Sequence, residues 1–171
     1  MLEHASPQSV PPTDRASAAA RTLLVFTVAQ QRYALGADDV VEILRAVAIA
    51  RLPSAPPAVE GLVNVRGALV AVLDVRVRFG LPAKPVEPSD RFVLARSRGR
   101  VVALRVDEVH ELAEVPVADL DSTRDVVPAA AHVAGVAKLP DGLVYLYDLP
   151  AFLSHADFVA LDAAVGAGGA T

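Results

Sequence analysis

The sequence predicts a mainly β protein made of two similar five-stranded units in tandem, with short helical turns and one C-terminal helix. Three observations lead there. Apolar runs of strand length, built mostly from Val, Ala and Leu, recur with turn residues between them, and Val prefers a pleated, half-buried surface. The chain also repeats itself. Moved by 69 residues, Leu24, Val25, Leu35, Val40, Glu42 and Ile43 fall on Val93, Leu94, Leu104, Val109, Glu111 and Leu112. Moved by 74, Gly61, Val65, Leu69, Val70, Val72 and Asp74 fall on Gly135, Leu139, Leu143, Val144, Leu146 and Asp148. Finally, only residues 149–165 carry apolar side chains at helical spacing over several turns.

In chain order, residues 1–20 are rich in Pro, Ser and Ala without period and read as a disordered tail. Residues 22–29 and 32–36 read as a hairpin around Gln30 and Gln31. Residues 40–52 read as one long, bent strand after a short turn at 37–39. The run 54–61 reads as a loop, because Pro56 and Pro57 cannot continue a ladder. Residues 62–65 and 68–74 form a second hairpin. In residues 74–80, Asp74 can cap a short helix and Gly80 can take the left-handed closing position. Three prolines make 81–90 a linker. Strands follow at 91–97, 100–106 and 109–115, then an irregular stretch at 116–130, a last hairpin at 132–139 and 142–148, and the helix, with a break near Ser154. Residues 166–171 read as a frayed end. The folded part is thus 21–160 with the helix reaching about 165, divided at about 85 into subdomains 21–85 and 86–150. Each is too small to bury its apolar faces alone, so the two pack together.

Composition narrows the function. The 171 residues carry a net charge of -4 and no cysteine. A non-specific nucleic-acid binder needs a basic face, and a single-strand binder needs stacking aromatics; only 5% of the residues are aromatic. Thiol chemistry is excluded. His4, His110, His132 and His155 have no ligand spacing, so no metal site is expected. No nucleophile elbow and no phosphate loop occur. No catalytic residue and no cofactor is expected, and an enzyme is not the reading. No apolar run is long enough for a membrane helix, and the start lacks the pattern of a signal peptide, so a cytoplasmic protein is expected.

What remains is apolar surface and a few placed charges. Alternation in 40–45 sets Val41, Ile43 and Arg45 on one face and Val40, Glu42 and Leu44 on the other. Arg66 stands at the tip of an otherwise apolar hairpin, where the repeat puts Pro140, an ordinary turn residue. Arg66 is the candidate partner of Glu42, because residues 62–65 can lie beside that strand. Two readings stay open: a surface ion pair of small value, or a partly buried pair at a protein interface, costly to break.

The stretches 23–45, 51–80 and 100–112 and the closing 132–153 resemble the CheW-like chemotaxis coupling family. The most specific element is Asn64-Val65-Arg66-Gly67 followed by the apolar strand that ends at Asp74, together with Val41-Glu42-Ile43. The resemblance covers about residues 22–160. It implies two SH3-like five-stranded β-barrel subdomains around a shared hydrophobic core. It implies a non-enzymatic adaptor that couples methyl-accepting chemoreceptors to a CheA-type histidine kinase at membrane-associated arrays, or an equivalent coupling protein for pili or second-messenger control. On the matched positions, Glu42, Arg66, Ile43, Val65 and Ala68 would meet the kinase's regulatory domain. Val40, Val106, Asp107 and Val109 would meet the receptor tip, and Val126 and Val127 would make a second kinase contact. Other CheW-like subunits are further candidate partners; nucleic acid and direct membrane insertion are not expected.

Overall fold

The computed structural model describes residues 20–122, 133–152 and 155–168. Strands β1 (Ala20–Val28) and β2 (Gln31–Gly36) form the first hairpin. Its turn is Ala29-Gln30, both at positive φ, so Gln31 already belongs to the second strand. A 3-10 turn at Ala37–Asp39 leads into β3 (Val40–Arg45). The second hairpin is β4 (Val59–Val65) and β5 (Ala68–Leu73), and helix α1 (Val75–Arg78) follows. The Asp74 side chain accepts from the Arg76 N–H at 3.0 Å, and Gly80 closes the helix at φ 67°, as its cap sequence predicts. Strands β6 (Arg91–Ser97), β7 (Arg100–Val106), β8 (Glu108–Pro116), β9 (Leu120–Ser122), β10 (Val133–Leu139) and β11 (Gly142–Tyr147) complete the β part. Helices α2 (Leu149–Phe152) and α3 (His155–Gly168) end the chain.

The strands make two sheets, ordered β8-β1-β2-β11-β10-β9 and β3-β6-β7-β5-β4. In the numbering of the repeat, β6, β7, β8, β10 and β11 are the second copies of β1, β2, β3, β4 and β5. Both sheets then read third-first-second-fifth-fourth, the first of them extended by β9 at its end, with the strands read as first and second from one half of the chain and the rest from the other half. The halves exchange strands reciprocally, so the sheets do not follow the division at residue 85. Each exchange is sealed by a parallel seam: Tyr33 and Ala34 beside Tyr145 and Leu146, and Ala71 to Leu73 beside Val102 to Leu104. Among the described residues neither sheet is closed by a continuous ladder, so the expected barrels stand here as two open sheets.

The apolar residues fill three places. Leu23, Val25, Ala34 and Val144 pack within the first sheet, and Val63, Val72, Phe92 and Ala103 within the second. Between the sheets lies a larger cluster with Leu24, Phe26, Leu35, Leu73, Val93, Leu104 and Leu161. Alternate residues of β1 and β6 therefore serve two different cores. That is why these strands are continuous apolar runs without polar alternation.

Four expectations need correction. The strand predicted over 40–52 ends at Arg45. The chain turns away there, and the Ala46 N–H donates to the Asp90 carbonyl at 3.1 Å. It returns to lay Ala50 against Leu62 of β4, with both backbone bonds at 2.8–2.9 Å. Gly61 permits this crossing, since a Cβ there would overlap the Ala50 carbonyl oxygen. Its repeat partner Gly135 does the same for β9, where a Cβ would lie 2.7 Å from the Asp121 carbonyl oxygen. Strand β9 itself falls in a stretch expected to be irregular, because three residues are too short a run for periodicity to register. Finally, β4 begins at Val59 rather than beyond the loop, and α3 runs through Gly168, its Ala-rich end keeping helical conformation past 165.

Candidate functional site

Arg66 owes its place to a tight turn. Val65 and Ala68 are paired, leaving Arg66 and Gly67 as a two-residue connection with φ of 50° and 87°. Positive φ at both central positions matches the twist of a hairpin and usually calls for Asn-Gly. The Asn64 side chain supports the turn by accepting from the Gly67 N–H at 2.7 Å. The hairpin β6–β7 has the same geometry, with Arg98 at φ 52° and Gly99 at 78°. An arginine at a hairpin tip is thus not diagnostic by itself. The guanidinium of Arg98 lies over the Phe158 ring of α3, 5.8 Å from its centre, whereas Arg66 faces solvent and an acid.

That acid is Glu42. Arg66 Nη1 donates to Glu42 Oε2 at 2.9 Å, and Nη2 to Oε1, a two-pronged pair. The bond from Arg66 holds the Glu42 carboxyl below its usual value, and Glu42 in turn raises the guanidinium. Arg66 is 70% exposed and Glu42 29%, so the pair stands at the surface with its acid partly covered. The two strands share no ladder; β3 and β4 are opposite edges of the five-stranded sheet. The pair joins those edges.

The strands that carry the pair also expose apolar side chains. The observed alternation of β3 agrees with the expected one: Val41 and Ile43 are exposed, and Val40, Glu42 and Leu44 partly covered. Val65 is half-buried and Ala68 exposed. Val47 and Leu69 add exposed apolar surface, which the sequence reading did not single out; alternation could have flagged Leu69, but Val47 lies in the segment misread as strand. A cleft of about 300 Å³, lined by Leu44, Val47, Val63, Val65 and Phe92 with Arg45, Asn64 and Arg66 at its rim, opens beside the pair. The arrangement has no group poised for bond-making. It offers a fixed charge in an apolar surround, which is suited to recognising another protein.

The residues expected at the receptor side divide. Val40 and Val109 both pack against the inter-sheet cluster while keeping partial exposure. Val106 is fully buried at 0% exposure, because its side chain fills that cluster, and it cannot be touched from outside. Asp107 is bound into the protein itself. It accepts from the Ala29 N–H at 2.8 Å and from Arg76 at 2.7 Å, with Lys84 at 3.5 Å. Burial pushes its carboxyl up, and these partners outweigh that, leaving it below the usual range. The same network continues to Asp90, at 0% exposure beside Lys84 and Arg105, and to Glu60 beside Arg105 at 2.7 Å. No short motif announces these ionic groups, which converge from four separate segments. Val126 and Val127 lie outside the described residues.

A sequence profile of the CheW-like domain matches residues 22–157. A chemotaxis protein CheW of Rhizobium meliloti is 31% identical over 133 residues, 75% of this chain and 84% of its own. The Bacillus subtilis chemotaxis protein CheW is 26% identical over 77% and 85% of the two chains. The crystal structure of the scaffolding protein TtCheW from Thermoanaerobacter tengcongensis superposes with a TM-score of 0.74 at 28% identity, over 80% of this chain and 94% of that one. The two-sheet fold and these matches define the class as a scaffold or adaptor domain. The chain belongs to the CheW-like domain family and is a chemotaxis adaptor.

Proposed function

We infer that the protein couples methyl-accepting chemoreceptors to a CheA-type histidine kinase, with the kinase's regulatory domain seated on the Glu42–Arg66 face. One observation carries the reading: an arginine is held in a left-handed turn, joined at two points to an acid, and left facing solvent beside strands that also expose Ile43, Val41, Leu69 and Ala68. Val65 lines the cleft at its side. The receptor tip is assigned to the seam between the sheets, where Val40 and Val109 reach the surface next to Asp107; buried Val106 supports this seam from within. In this reading each sheet, with the short segment laid over its edge, is an SH3-like barrel. The protein works in the cytoplasm at receptor arrays and catalyses no step itself. Among the described residues no helix is long and apolar enough to cross a membrane.

The test is a calorimetric titration with the regulatory domain of the CheA-type kinase from the same organism, comparing the natural chain with Arg66→Glu. The natural chain binds and the variant, folded by circular dichroism, loses at least tenfold in affinity, about 1.4 kcal/mol. Equal affinities would remove Arg66 from the interface. No binding by either chain would remove the kinase as partner.

A further inference from the structure

The reciprocal exchange of strands has a counterpart between molecules. One covalent segment, residues 81–90, joins the two halves of the chain. Everything else that holds them together is non-covalent: the parallel seams β2–β11 and β5–β7, the antiparallel pairs β1–β8 and β3–β6, and the cluster between the sheets. All of these could form between the first half of one copy and the second half of another without altering a single contact. Such exchange of identical elements is a low-cost route to dimers. Only segment 81–90 would differ between the two arrangements, running back within one copy or across to the next.

That segment is held down from both halves. Arg105, nearly buried in β7, donates through Nη2 to the Lys84 carbonyl at 2.8 Å and through Nη1 to the Pro85 carbonyl at 3.4 Å. Arg76 of α1 donates to the Pro82 carbonyl at 3.4 Å. The Lys84 ammonium meets Asp90 at 2.9 Å and Asp107 at 3.5 Å. An equilibrium between two states shifts only through contacts that differ between them, and these contacts lie on the one segment whose path has to change.

We propose that a second copy of this chain is an alternative partner for each half, giving a dimer of exchanged halves, and that the Arg105 and Lys84 contacts on segment 81–90 hold the chain in its one-copy form. This stands independently of the kinase assignment, since it uses the interior of the fold and leaves the Glu42–Arg66 face free.

The test uses full-length chains that all carry the same specific protease site between Pro85 and Val86: the natural sequence, Arg105→Met and Lys84→Ala. Each is unfolded in urea, refolded at a few hundred micromolar and weighed by size exclusion with light scattering. The unaltered chain returns mainly as monomer. Both variants return a dimer fraction raised about fivefold or more, which a population shift of this size requires. Cleaving the site then splits the dimer into particles of monomer mass, because segment 81–90 is the sole link between exchanged units; a dimer joined by surface contact would keep its mass. Lys84→Ala leaves Asp90 paired with Arg105 and Asp107 with Arg76, so it decides the matter should Arg105→Met fail to fold. Variants that refold as monomers, or dimers that survive cleavage, overturn the proposal.

Discussion

Arg66 is a residue at odds with its own backbone. A left-handed φ disfavours any side chain with a Cβ, and glycine would take the position without strain. Arg66→Gly should therefore leave the melting temperature unchanged or slightly higher, while abolishing kinase-domain binding in the same titration. That separation of stability from binding is what a recognition residue predicts and a structural one does not. Glu42 adds a pH signature. Its folded carboxyl lies below the ordinary glutamate value because Arg66 bonds it. The pair is complete above that ordinary value and is lost only as pH falls through the lowered one. A carbon-detected NMR titration of Glu42 should show its midpoint below that of an unstructured glutamate and rising in Arg66→Gly. The identity of this pair was legible from residue types and the repeat. Its exposure was not, because alternation tells which face a side chain takes and not how close that face lies to a sheet edge.

At the scale of elements, the crossing glycines make the sharpest prediction. Gly61→Ala puts a Cβ into the Ala50 carbonyl oxygen, and backbone atoms cannot swing aside as a flexible side chain would. The substitution should cost about 1–3 kcal/mol in urea unfolding, with lost hydrogen-exchange protection at the Ala50 and Leu62 amides. Strands β6 and β7 stand where the sequence put them, at 91–97 and 100–106, since glycine turns and long Val-rich runs give unambiguous ends. The run 40–52 misled because apolar residues continue through a bend, and nothing local says that Ala50 pairs with a strand on the opposite edge. The repeat at 69 and 74 residues correctly matched strand to strand. It could not say which copy each strand would pair with, because the copies are alike enough for either pairing to satisfy the pattern.

For the whole molecule, the buried charges set the response to acid. Burial raises the Asp90 and Asp107 carboxyls, but the Glu87 and Ala29 N–H groups and the cations Lys84, Arg105 and Arg76 more than offset this, so both lie below the usual range. Their stabilisation is complete above the usual carboxylate values and is lost as pH falls through the lowered ones. Glu60 works the other way: burial raises it, with Arg105 only partly compensating, so its ionised form opposes folding and acid relieves that. Asp90→Ala removes the fully buried acid that Lys84 and Arg105 share, leaving them Asp107 and Glu60; it should cost up to roughly 3–5 kcal/mol near neutrality, while its stability should decline less steeply with falling pH than that of the natural chain. Denaturant titrations at stepped pH read both effects. The interleaved sheets also bear on how the protein is made. On the ribosome, β5 emerges with one side open until β7 is made, and β2 waits for β11, the last strand. At about 5–20 residues per second, the interval from α1 to Tyr147 lasts roughly 4–14 s. Throughout it the nascent chain carries strands that still lack one of their two partners. Synthesis of this protein thus depends on whatever shelters those strands until its final hairpin arrives, and a message read by closely spaced ribosomes would set the unfinished halves of neighbouring chains side by side.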